Sequence, residues 1–170
     1  MWVIRNFRRH IMNLDITAEP GVPQVITTRT FDAPRNLVYR ALTEPDLLVQ
    51  WLGPRKYTMT IERYDLRDGG TYRYIHADDA GNAYVFHGVF HGDPSLDGMV
   101  QTFEFEGAPG HVSMDTVTFE NRGDRTVVRT NSLFQSVEAR DAMVQSGMAE
   151  GMGEGYDRLD ELLAKLVANS

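Results

Sequence analysis

From Lys56 to Leu133 apolar and polar residues alternate with a period of two, the spacing of a β-strand and not of a helix. Turn residues cut this stretch into strands at Tyr57–Leu66, Thr71–His76, Ala83–Gly92, Met99–Glu106, Val112–Asn121 and Arg125–Leu133. The separators are short and rich in Gly, Asp and Asn, as in Asp68-Gly69-Gly70 and Arg122-Gly123-Asp124, so neighbouring strands are expected to run antiparallel.

Beyond the alternation the period lengthens to that of a helix. Val144, Met148, Met152, Tyr156, Leu159, Leu163 and Leu166 fall three or four residues apart, which predicts one long helix over Val137–Val167 with a single apolar stripe. Gly147, Gly151, Gly153 and Gly155 interrupt its first half, at a helix cost of roughly 0.5–1 kcal/mol each. Gly147, Gly151 and Gly155 repeat every four residues and mark a low ridge, where another backbone, the sheet's above all, or a bound molecule is expected to come close. Ahead of the alternation, Val25–Phe31 reads as a strand, and Asp32-Ala33-Pro34 and Glu44-Pro45 each open a short helix, the second stopped by Gly53-Pro54. An antiparallel sheet of this size curls, and the C-terminal helix is the large apolar object left to fill its concave face. The expected class is therefore α+β, a curved antiparallel sheet around a long C-terminal helix with two short helices after the first strand.

The chain of 170 residues suits one domain, expected over 25–170. Residues 1–24 read as an extension that is flexible or weakly helical, because Val3, Ile4, Phe7, Ile11 and Leu14 have helical spacing and Pro20, Gly21 and Pro23 follow. The absence of cysteine excludes disulfides and thiolate metal sites and points to the cytoplasm. A net charge of -7 argues against nucleic acid as a partner, and no apolar run suits a membrane span. Composition leaves monomer and homodimer equally open.

The strings Phe31-Asp32-Ala33-Pro34, Leu42-Thr43-Glu44-Pro45, Gln50-Trp51-Leu52-Gly53-Pro54, Asp65-Leu66-Arg67-Asp68-Gly69-Gly70, Gly88-Val89-Phe90 and Ser146-Gly147-Met148 resemble those of the SRPBCC, or START-like, helix-grip superfamily. Within it the chain is similar to the bacterial proteins grouped with the C-terminal domain of the activator of the heat-shock-protein-90 ATPase. The resemblance covers Val25 to Val167 and implies a ligand cavity between sheet and helix, without a cofactor. Relatives of this kind include carriers of hydrophobic molecules, polyketide cyclases and a co-chaperone domain. Where many of them have a second tryptophan this chain has Leu52.

Strand parity selects the side chains for such a cavity. Tyr72, Tyr74 and His76 share one face of their strand, and Tyr84, Phe86, Gly88 and Phe90 share one face of the next. If even positions pair with even ones these rings form one wall, extended by Phe103 and Phe105; a one-residue slip turns His87 and His91 inward instead. The expected ligand-binding residues are Trp51, Tyr72, Tyr74, Phe86, Phe90, Phe103, Met148, Met152 and Tyr156, the methionines supplying pliable apolar surface. His87 and Tyr74 are the candidates for moving a proton. His87 and His91 are about 13 Å apart along a strand, so no metal site is expected. Arg73 either orients a ligand or faces outward. Glu150, Glu154, Asp157, Asp160 and Glu161 read as a solvated helix face with Glu154–Arg158 and Glu161–Lys165 pairs. The function these features suggest is binding of a small hydrophobic or aromatic molecule. The alternatives are a polyketide cyclase or hydratase using the same cavity, and a protein-interaction or co-chaperone-like module.

Overall fold

The structure is a computed structural model that describes Phe7–Ile11 and Asn13–Ser170. Its strands are β1 (Phe7–Ile11), β2 (Leu14–Ala18), β3 (Gln24–Phe31), β4 (Thr58–Tyr64), β5 (Thr71–Ala77), β6 (Ala83–Ser95), β7 (Gly98–Phe105), β8 (Val112–Arg122) and β9 (Arg125–Leu133). They form one antiparallel sheet in the order β1-β2-β3-β9-β8-β7-β6-β5-β4. Two short helices, α1 (Arg35–Thr43) and α2 (Pro45–Leu48), follow β3, while α3 (Val137–Gln145) and α4 (Met148–Ala168) close the chain. This is the helix-grip arrangement. Phe31, Tyr72, Phe90, Val117, Phe119 and Val128 of the sheet join Leu37 and Val38 of α1 and Tyr156, Leu159 and Leu163 of α4 in one buried cluster. Leu159 and Leu163 are 0% and 2% exposed. At about 1.5–3 kcal/mol per fully buried large apolar side chain, this stripe outweighs the cost of the glycines upstream.

The N-terminal segment departs from its helical spacing. β1 and β2 form a hairpin, with Phe7 opposite Ala18 and Ile11 opposite Leu14, and β2 pairs with β3. The reason lies in Leu14, Ile16 and Ala18, which alternate and are buried at 0%, 1% and 0% exposure against the same core. Asn13 takes the left-handed conformation at φ 60, which suits a two-residue hairpin turn. Val3 and Ile4, part of the helix expectation, lie outside the described residues.

The C-terminal helix is likewise two helices. Ser136 caps α3 by accepting a hydrogen bond from the Ala139 amide at 3.1 Å. Gly147 then takes φ 87 and breaks the run before α4 begins. Gly147 therefore leaves the expected ridge. What approaches the remaining notch is backbone, though not that of the sheet. A β-carbon at residue 155 would meet the Gly53 amide nitrogen at 3.3 Å, and one at residue 151 would meet only the Pro54 ring at 3.7 Å. The glycine-bearing face receives the backbone of the turn after α2.

The acidic face of α4 also finds partners the i,i+4 pattern does not show. The 2%-exposed Arg29 on β3 pairs with Asp157 at 2.9 Å and with Asp160, while Arg55 pairs with Glu161. Arg158 turns from Glu154 and donates to the carbonyls of Gly53 and Gln50, each at 2.9 Å.

Candidate functional site

Register decides what the inner face presents. β5 and β6 pair Tyr72 with Gly88, Tyr74 with Phe86 and His76 with Tyr84, so even positions meet even ones. On β7 the partner of Phe86 is Phe105, with Phe103 two residues away on the same face. The rings make a continuous surface. Tyr72 and Tyr74 have centroids 4.6 Å apart, Tyr72 and Phe90 5.3 Å, His76 and Phe86 5.4 Å, and Phe86 stacks on Phe103 at 5.3 Å and lies 5.2 Å from Phe105.

That surface has two parts. Trp51, Tyr72, Tyr74, Phe90 and Tyr156 are buried and belong to the close-packed cluster. Trp51 donates its indole N–H to the Ala41 carbonyl at 2.8 Å, and Tyr72 donates its hydroxyl to the Thr102 carbonyl at 2.5 Å. Burial pushes the Tyr72 and Tyr74 phenols well above their usual values, so both stay neutral. Phe86, Phe103 and Phe105 are only half-buried, as are Met148 and Met152 at the start of α4. The buried rings thus form the filled part of this face, and the half-buried ones its partly exposed part.

His87 and Tyr74 are separated by the thickness of the sheet. His87 pairs across strands with Arg73, on the face opposite Tyr74 and Phe86. There its Nδ1 lies 3.1 Å from Glu106. Arg73 grips the same carboxylate through two hydrogen bonds of 2.8 Å and also contacts Glu62. The Arg73 hydrogen bonds chiefly, with burial opposing and His87 assisting, hold Glu106 down at about 2. Arg73 therefore faces outward in an ionic network.

Two inward titratable groups complete the site. His76 is 8% exposed, and burial first and the charge of Arg158 second hold it below the usual histidine value. Asp115 on β8 is opposite Gln101 of β7 and Ser132 of β9, on the face that carries buried Ser113, Val117 and Phe119. Burial pushes its carboxyl up to about 6, although the hydroxyls of Ser132 and Ser113 pull the other way. Sequence reasoning missed Asp115; its odd-numbered parity on β8, shared with Ser113, Val117 and Phe119, is the signal that could have found it. Among the described residues no group of three His, Asp or Glu side chains stands close enough to share a metal ion. A separate polar groove of about 490 Å³, lined by Thr28, Arg29, Asp32, Arg125 and Asp160 among others, contains none of the expected ligand-binding residues.

The profile of the family described as "Activator of Hsp90 ATPase homolog 1-like protein" matches residues 32–164. The chain belongs to this family. It is a bacterial-type SRPBCC member with the helix-grip fold. A crystal structure of a Rhodobacter sphaeroides protein is 26% identical with a TM-score of 0.81, covering 89% of this chain and 99% of its own. A solution structure from Arthrobacter aurescens is 24% identical with a TM-score of 0.78, covering 96% and 93%. CalU16 from Micromonospora echinospora, 20% identical with a TM-score of 0.59 over 97% and 87%, shares the fold. No curated protein matches the chain. Like its relatives, this family member places the long helix across the sheet. Among the described residues no helix is long and apolar enough to cross a membrane.

Proposed function

We propose that this family member binds a small hydrophobic or aromatic molecule between the inner face of the sheet and the start of α4. The observation that carries the reading is the half-burial of Phe86, Phe103 and Phe105 on a face whose neighbours Tyr72, Tyr74 and Phe90 are sealed. Apolar rings turned toward the interior yet reached by solvent gain free energy when a guest covers them. Met148 and Met152, also half-buried, adapt to the guest's shape. Trp51, Tyr72, Tyr74, Phe90 and Tyr156 act as a rigid backing. Native mass spectrometry of the chain purified without added ligand, together with an NMR titration with naphthalene, tests this. A retained small molecule, or naphthalene-induced shifts confined to Phe86, Phe103, Met148 and Met152, is the expected result. Neither one appearing ends the proposal.

The inner face also favours an enzyme of cyclase or hydratase type. His76 is inward, beside Phe86, and held neutral by its burial, the state in which an imidazole accepts a proton. On this reading His76→Gln abolishes turnover of an aromatic polyketide while leaving its binding intact. Retained turnover leaves binding alone.

A further inference from the structure

The inner face is apolar on one side and polar at its centre. Across β7, β8 and β9 the register puts Gln101, Asp115 and Ser132 in one row, with Ser113 two residues along β8 and opposite Phe103. By strand parity Asp115 is the one carboxylate at an inward position of β3 to β9 among the described residues; Glu104 and Glu120 face the other way. Asp115 is half-buried, and a carboxylate partly withdrawn from water is costly unless its lone pairs are satisfied. Asp115 has little to satisfy them. The Ser113 hydroxyl is 3.5 Å away, at the outer limit of a hydrogen bond, Ser132 faces it across the strand pair, and no cation is among the groups acting on it. The Tyr72 and Tyr156 phenols lie close enough to sense its charge. Tyr72 is committed elsewhere, to the Thr102 carbonyl. An ionised carboxylate has about four acceptor positions, so two hydroxyls leave acceptor capacity beside the aromatic surface.

We propose that Asp115 is the polar anchor of the aromatic site, accepting a hydrogen bond from the hydroxyl of a phenolic ligand. This rests on the binding reading above and narrows it. The guest's ring lies on Phe86 and Phe103, and its hydroxyl donates to the half-buried carboxylate. A hydrocarbon or an ether fills the same space but leaves the carboxylate without its donor.

The test titrates the full chain with 2-naphthol, 2-methoxynaphthalene and naphthalene by calorimetry. The expected result is that the wild-type chain binds 2-naphthol at least roughly tenfold tighter than the other two, the effect of one hydrogen bond to a charged group. In D115L, which removes the acceptor, the preference disappears and naphthalene affinity persists. Equal wild-type affinity for all three, or a preference that survives D115L, overturns the anchor and leaves the aromatic site standing. No binding of any probe by the wild-type chain overturns both. Because the three-ligand comparison in the wild type decides by itself, a D115L chain that fails to fold does not shelter the proposal.

Discussion

The carbonyl oxygen of Trp51 lies over Gly155, 3.4 Å from where a β-carbon on that residue would stand. Backbone is on the other side of this contact, so no side chain can swing away to make room. Gly155→Val is expected to destabilise the fold by about 1–3 kcal/mol through overpacking. Gly151→Ala, where only Pro54 is near, is expected to stabilise it by about 0.5–1 kcal/mol through helix propensity. Urea unfolding of the two variants checks the contrast, and equal effects would mean that the turn does not seat against α4.

Asp115 makes stability depend on pH with a definite sign. Its carboxyl stands at about 6 in the fold against an ordinary 3.8, so the folded state binds this proton more tightly than the unfolded one. The resulting stabilisation is complete below pH 4 and is lost as pH climbs through 6, amounting to at most about 3 kcal/mol. Asp115→Asn removes the titration. Relative to that variant the wild-type chain should lose stability between pH 4 and pH 7, and parallel unfolding curves across that range would show the carboxyl to be solvated.

The two faces of the sheet should separate in mutagenesis. Phe103→Ala removes a half-buried inward ring and is expected to weaken binding of an aromatic probe about tenfold, with less than about 1.5 kcal/mol lost in stability. His87→Ala, on the outer face beside Glu106, is expected to leave that binding unchanged. A calorimetric titration in which His87→Ala weakens binding as much as Phe103→Ala would place the guest on the wrong side of the sheet.

Arg140 on α3 is 1% exposed and donates to the carbonyls of Glu19 and Val22, both at 2.5 Å, while pairing with Asp141 at 2.7 Å. It fastens α3 to the link between β2 and β3. Arg140→Ala leaves two carbonyls and a carboxylate without their donor, at an expected cost of about 3–5 kcal/mol. Arg140→Lys should recover only part of this, since an ammonium cannot reproduce the planar fork. Thermal unfolding of the pair gives the comparison.

Much of this fold is legible because it rests on local periodicity. The alternation over 56–133 places the strands, and parity alone puts His87 opposite Phe86; only the pairing of Tyr74 with Phe86 was needed to decide which of them turns inward. The features that escaped depend on partners distant in sequence. Arg29 meets Asp157 across 128 residues and Arg55 meets Glu161 across 106, so the i,i+4 pattern on α4 names the wrong cation for Glu161. Phe7, Ile11 and Leu14 satisfy a helical spacing by coincidence, while Leu14, Ile16 and Ala18 obey the shorter period that wins once β3 offers an edge. The Gly147 break and the inward placement of Asp115 are likewise set by tertiary context, the first by the turn into α4 and the second by the register of β8 between β7 and β9.

The β1–β2 hairpin has a consequence for solubility. β2 bonds β3 only from Asp15 to Thr17, yet it shields an eight-residue strand that otherwise ends the sheet. A chain shortened to begin at Gly21 would present β3 bare along its outer rim, an open template for a second copy to zip onto. Concentration-dependent self-association of that truncated chain, absent in the intact one, would identify these first residues as a guard against sticking.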